Sequence, residues 1–270
     1  MCFYYAVVKT SAKELVKNGI IKEEQLSLFS DQQFVKGFDF PLMPVISSDK
    51  PEDIQMFRWG FVPPHIRSDK KAKEFLNRYN TLNARSETIF ESRLFNEVIH
   101  KQRCLVLCSG FFEWRHKNPG KKNSEKYPFY VSLKDDGMFV FGGLWEKFTD
   151  QSTGEIIHTY AIVTTPANEL MEIVHNNKKR MPLIIEPEKA LNWLGTDLSE
   201  NEIKSYFKPF DSSKLKATPI KKINPRLQYK NDPGITVYYH YEELGSLLNN
   251  YPEYFEQSVD FRKGNSPTLF

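Results

Sequence analysis

Arg103 to Trp114 reads RCLVLCSGFFEW, and the interpretation of this stretch decides the fold. Val, Leu, Cys and Phe crowd it, so it predicts a run of buried β-structure. Cys104 and Cys108 fall at core positions, as cysteines in apolar runs usually do. One carboxylate, Glu113, stands inside the run. Burying a charge there is costly without a partner. Glu113 is therefore expected to have a raised pKa and to suit general acid or base work. The plainer alternatives are a strand-edge Glu facing water and one half of a buried ion pair.

Outward from this run, PFYVSL (128–133) and MFVFGGLW (138–145) are also strand-like, and Lys134-Asp135-Asp136-Gly137 between them reads as a hairpin turn. HTYAIVTT (158–165) is a further strand. Ser11 with Glu14 has the spacing of a capping box opening a short helix that Gly19 closes. Helices are also expected over 92–101, 168–175, 187–194, 199–206 and 241–249, that of 199–206 opened by Ser199 with Glu202. Strands outnumber helices without a regular βαβ alternation. The expected fold is α+β: a single domain on a mainly antiparallel, barrel-like β-sheet with flanking helices. The domain is drawn at residues 1–258, with 259–270 as a loose C-terminal tail.

The chain has 270 residues, 40% of them hydrophobic and 14% aromatic. That is ample for a packed core and excludes a disordered or collagen-like chain. No apolar run reaches the ~18–20 residues of a membrane span. MCFYYAVVKT lacks the features of a secretory signal. Three cysteines without a CxxC argue against a disulfide scaffold. A cytoplasmic protein, monomeric and associated with the nucleoid when on DNA, is expected. The sequence contains no HExxH, P-loop, GxSxG or GxGxxG, and no histidine pair at metal-ligand spacing, so neither a metal nor a cofactor is expected. Net charge is only +3, but charge is segregated. Lys214 to Lys230 holds six basic residues and no acidic ones, and Lys178-Lys179-Arg180 forms another cluster. Such clusters either converge on phosphates or stand as solvated surface.

Cys2 follows the initiator Met. Once Met1 is removed, it carries an α-amine and a thiol on adjacent carbons. The amine can condense with an aldehyde to an imine, and the thiol can then close a five-membered thiazolidine. Alternatively, the thiol is a nucleophile with the amine as its base, or Cys2 is simply a buried core residue. His175 ends a predicted helix, where an imidazole commonly satisfies terminal carbonyls. Asn83 and Arg85, in NARSET (83–88), are otherwise only polar residues of a turn or helix start.

Together these segments resemble the SRAP family, the SOS-response-associated peptidase-like proteins that crosslink to abasic sites in single-stranded DNA. The matching pieces run in family order. Met1-Cys2 is the start, and RWGFVP (58–63) is similar to WG-x-x-P. NARSET is nearly identical to N-A-R-x-E-T, and RCLVLCSGFFEW resembles R-C-L-x-P-x-x-G-F-Y-E-W. FGGLWE (141–146), IVTTPAN (162–168), His175 with Arg180-Met181-Pro182, and Pro219 to Asn224 follow. The likeness spans roughly residues 1–230.

The resemblance implies a catalytic set of Cys2, Asn83, Glu113 and His175, and DNA contacts from Arg85, Arg180, Arg58 and Lys178. It implies a thiazolidine crosslink between Cys2 and the aldehyde of an abasic site, shielding the lesion, with Met1 removal and lyase-like reversal. The rival readings are an N-terminal-nucleophile thiol hydrolase or peptidase and a non-catalytic single-stranded nucleic-acid module. There are departures from the family pattern. Phe3-Tyr4 stand where the family has Gly-Arg, three extra residues separate His175 from Arg180, and Pro64-His65 replace an aromatic wedge.

Overall fold

The computed structural model describes residues 2–224, 229 and 232–255. The expected domain end at 258 and the 259–270 tail lie outside the described residues. The strands are β1 (Tyr4–Val7), β2 (Gln32–Lys36), β3 (Leu42–Ser47), β4 (Lys50–Trp59), β5 (Asn83–Arg85), β6 (Arg103–Cys108), β7 (Gly110–His116), β8 (Lys126–Leu133), β9 (Phe139–Thr149), β10 (Ile156–Pro166), β11 (Arg180–Pro182), β12 (Ile184–Ile185) and β13 (Leu215–Pro219). The helices are α1 (Lys13–Lys17), α2 (Asp69–Arg78), α3 (Val98–Lys101), α4 (Glu169–Val174), α5 (Pro187–Trp193), α6 (Glu200–Ser205) and α7 (Gly245–Asn250).

Five strands close on themselves. β10 pairs with β4 in parallel, β4 with β3, β3 with β6, β6 with β9, and β9 returns to β10, the last four pairings antiparallel. Closure removes free edges. A second sheet, β13-β8-β7-β1-β2, packs alongside. The α+β, barrel-based single domain expected from sequence is the fold observed.

The run 103–114 is not one strand. It breaks at Ser109 into β6, which belongs to the barrel, and β7, which belongs to the second sheet. Ser109 sits at the crossover, where its N–H donates to Ala6 C=O at 2.8 Å and its hydroxyl accepts from Val8 N–H at 2.7 Å. The hairpin expected at 134–137 is also corrected. The turn is there, with Asp136 at φ 58, but β8 and β9 do not pair with each other. β8 stays with β7 while β9 crosses into the barrel, where it pairs with β6 and β10.

Ser199 caps α6 as its spacing predicts, through a full capping box with Glu202, and Asn168 caps α4. The Ser11–Glu14 box is not formed. Ser11 lies in a 3₁₀ turn, and α1 starts after Ala12 without a side-chain cap. Only the last turn of 92–101 is α-helix, namely α3. The segment 241–249 splits into a 3₁₀ turn (Glu242–Leu244) and α7. α2, capped by Ser68, goes beyond the expected elements.

Candidate functional site

Two pairings bring the predicted catalytic residues together. β1 lies antiparallel to β7 with Tyr5 opposite Phe111 and Ala6 opposite Gly110. Extending that register toward the N-terminus leads Phe3 and Cys2 to the Glu113 end of β7. Gly110 makes room for the Tyr130 ring of β8, since a Cβ there would fall inside it. From the barrel side, β5 pairs in parallel with β10, Asn83 opposite Ile162. Asn83 Nδ2 donates to Cys2 C=O at 2.9 Å. Its Oδ1 is buried without a hydrogen-bond partner.

Cys2 is fully buried, and its thiol donates to Tyr4 C=O at 3.7 Å. Burial, then the Glu113 charge, push the thiol far above the ordinary thiol range. Glu113 is 5% exposed, and burial raises its carboxyl to about 7. This agrees with the sequence expectation of a raised carboxylate.

His175 caps the C-terminus of α4 and is also buried. Burial, assisted by the Arg180 and Lys178 charges, lowers its imidazole to about 4. It is therefore neutral near pH 7. Its Nδ1 lies 2.9 Å from Arg180 C=O. A carbonyl only accepts, so Nδ1 carries the hydrogen and Nε2 is left with a lone pair. Nε2 lies 3.6 Å from Glu113 Oε2. Both groups are pushed toward their neutral forms by burial, so this approach is not an ion pair. It is a carboxyl of nearly neutral pKa beside a basic nitrogen, an arrangement able to take up and return one proton.

The extra residues between His175 and Arg180 form a turn that closes α4. Lys178 and Lys179 N–H groups both donate to His175 C=O, at 3.2 and 2.8 Å. Lys179 adopts φ 49, a left-handed conformation unfavourable for a non-glycine residue. The turn returns the chain so that the Arg180 carbonyl meets the His175 ring.

The predicted DNA-contacting residues are dispersed. Arg85 is exposed at the end of β5 and Lys178 is exposed beside His175. Arg180 is 6% exposed, its guanidinium joined to Glu87 and donating to Thr164 C=O at 2.7 Å and to Thr164 Oγ1 at 2.9 Å. Arg58 pairs with Asp69 at the start of α2. Both of these arginines are engaged by carboxylates of the protein itself. Trp59 is fully buried and donates its indole N–H to Leu82 C=O at 3.0 Å.

A cavity of about 380 Å³ opens onto the Glu113–His175 pair, walled by Phe3, Tyr4, Phe34 and Trp114. His116 and Lys126 also line it, and sequence reasoning missed both. His116 follows Trp114 by the two-residue alternation of GFFEWRH, and Lys126 is its cross-strand partner, which the sequence alone does not show. A larger cleft of about 750 Å³ beside α5 and α6 contains none of the predicted site residues. The chemistry, not the volume, singles out the smaller one. None of the helices among the described residues is long and apolar enough to cross a membrane.

A closed mixed barrel with a second sheet, bringing Cys2 near a buried Glu–His pair, defines an α+β protein of SRAP architecture. The family model of the SOS response associated peptidase (SRAP) matches residues 1–224, and the chain belongs to that family. Abasic site processing protein YoqW of Bacillus subtilis is 29% identical over 180 residues, covering 66% of this chain and 74% of YoqW. Abasic site processing protein YMR114C of Saccharomyces cerevisiae is 34% identical over 168 residues, 60% of this chain and 41% of that protein. A Bacteroides thetaiotaomicron protein of known crystal structure superposes with a TM-score of 0.73 at 36% identity, covering 88% of this chain and all of that one.

Proposed function

We propose that this protein processes abasic sites in single-stranded DNA by forming a thiazolidine crosslink through Cys2. The observation that carries the reading is the convergence of Asn83, Glu113 and His175 on the residue that becomes the N-terminus when Met1 is removed. The names of the curated relatives, abasic site processing proteins, support it.

In this scheme the Cys2 amine attacks the ring-opened aldehyde. The carbinolamine loses water to give the imine. The thiol sulfur then bonds to the imine carbon, and its proton passes to nitrogen. Glu113 serves both steps. As an acid it protonates the departing hydroxyl, and as a carboxylate it accepts the thiol proton. A carboxyl near 7 is poised for both roles. The unprotonated Nε2 of His175 relays that proton and assists the reverse reaction. Asn83 holds the Cys2 carbonyl so that the amine faces the cavity. Because burial keeps the Cys2 thiol protonated, the amine acts first and the sulfur second. This order disfavours a thiol hydrolase, which needs the thiolate at the outset.

Arg85 and Lys178 supply exposed phosphate contacts. Arg180 holds the His175 turn and Glu87, and Arg58 anchors α2. A denaturing gel of the protein with single-stranded DNA bearing one abasic site tests the reading. A heat-stable shifted band is expected, absent for Cys2→Ala; the absence of any band with native protein refutes it.

A further inference from the structure

We propose that His116, Lys126 and Lys178 form a seat for a backbone phosphate of the DNA strand at the rim of the lesion cavity. The inference rests on the DNA reading above. It assigns a phosphate contact to residues outside the segment after Cys2, where Phe3-Tyr4 offer no cation.

Three features place these side chains together. His116 and Lys126 are direct cross-strand partners in the β7–β8 ladder. Lys178 reaches them through a clamp: His116 N–H donates to Asn176 Oδ1 at 2.9 Å, and Asn176 Nδ2 donates to His116 C=O at 2.8 Å. All three line the same cavity as Glu113 and His175.

The pattern of ion pairing marks this place for an external anion. The neighbouring cations are neutralised internally, Lys117 and Lys222 by Glu125 and Lys179 by Glu172. Lys126 and Lys178 have no carboxylate partner among the described residues. His116 Nδ1 is buried without a hydrogen-bond partner. Burial, then the charges of Lys126, His175 and Lys178, hold the His116 imidazole below its ordinary value. Lys126 and Lys178 repel one another until an anion enters, and a phosphate oxygen would relieve that repulsion beside the His116 ring. The aromatic remainder of the cavity offers stacking surface for sugar and base but no further charge.

The test uses single-stranded oligonucleotides carrying a tetrahydrofuran abasic analogue, which binds without crosslinking. One uncharged methylphosphonate linkage is moved stepwise past the lesion. One linkage near the lesion should weaken wild-type binding about three- to tenfold. The same linkage should have less than about a twofold effect on the Lys126→Ala/Lys178→Ala double variant, whose two changes sit on exposed side chains. His116→Gln should give a partial loss of the same effect. Equal, additive losses at that linkage in wild type and double variant overturn the seat. If sodium phosphate competes more strongly than chloride of equal ionic strength, and no linkage stands out, the seat takes free phosphate and the strand assignment falls. A parallel gel with a natural abasic site separates the two levels. No wild-type adduct removes the function reading and the seat with it, whereas an adduct with additive linkage losses removes the seat alone.

Discussion

Glu113→Gln should slow the chemistry and stabilise the fold together, with a pH signature that isolates the carboxyl. An acid whose folded pKa lies above its unfolded value favours folding fully below the unfolded value, and that contribution is lost as pH rises through the folded one. For Glu113 the window runs from 4.5 to about 7. At ~1.4 kcal/mol per pH unit, that span costs wild type about 3 kcal/mol above neutrality. Near pH 5 the cost is below about 1 kcal/mol. Gln keeps the shape and cannot ionise, so it escapes this cost. His175 behaves oppositely: its folded value is lowered to about 4, so it removes stability as pH falls. It is present in both proteins and largely cancels in their difference. The variant-minus-wild-type melting temperature should therefore climb by about 5–10 °C between pH 5 and pH 8, at the 2–4 °C per kcal/mol of a domain this size. Single-turnover crosslinking to abasic DNA should fall by ~10²-fold or more if Glu113 is the main general acid–base. A pH-independent melting difference would refute the buried-carboxyl argument, and wild-type crosslinking rates in the variant would refute the catalytic one.

Asn83→Ala removes the donor to the Cys2 carbonyl, and crosslinking rates at saturating DNA should drop by about tenfold, a loss of ~1.4 kcal/mol of positioning; unchanged rates would leave Asn83 a structural residue. Arg180→Ala strands Glu87 and both Thr164 acceptors, so denaturant unfolding should show a loss of about 3 kcal/mol, and a change below about 0.5 kcal/mol would mean its pairs contribute nothing. Arg85→Ala should reduce the salt slope of single-strand binding by about 0.7, measured by titration at several salt concentrations; an identical slope would remove Arg85 from the interface. Gly110→Ala pushes a methyl into the Tyr130 ring, and its melting temperature should fall by an amount equivalent to about 2 kcal/mol.

The residues that gather at the candidate site were legible because each sits in a distinctive local pattern, whereas the strand connections were not. RCLVLCSGFFEW looks uniform, since every residue from Arg103 to Phe112 is buried whichever sheet it joins. Periodicity cannot register a change of partner at Ser109. The same holds for the turn at Asp136, where turn chemistry was correctly read but the partners of β8 and β9 are chosen by barrel closure. The Ser11–Glu14 spacing promised a cap, yet Ser11 lies in a 3₁₀ turn and its C=O accepts from Met138 N–H at 2.6 Å, a tertiary contact that local spacing does not register. The arginines illustrate the opposite limit. The resemblance grouped Arg58 and Arg180 with Arg85 and Lys178, and only three-dimensional contacts reveal that Asp69 and Glu87 occupy the first two.

That break at Ser109 is what makes the site possible. Had 103–114 continued as one barrel strand, Glu113 would lie along the barrel wall and β1 would keep only β2 as its antiparallel partner. By leaving the barrel, β7 offers one edge to β8 and the other to β1. The β1 register then carries residue 2 toward the carboxylate, while β5, still on the barrel, supplies Asn83 from across the seam. The cysteine and the carboxylate thus meet along the β1–β7 ladder and the amide comes from the β5–β10 ladder. α4 adds His175 at its C-terminus, where the turn through Lys179 gives the ring a carbonyl partner and fixes its tautomer. In the proposed reaction Cys2 is the N-terminus, and a free terminus would ordinarily fray. Asn83 already holds the Cys2 carbonyl, so in that reaction the amine would meet an aldehyde with little further ordering cost.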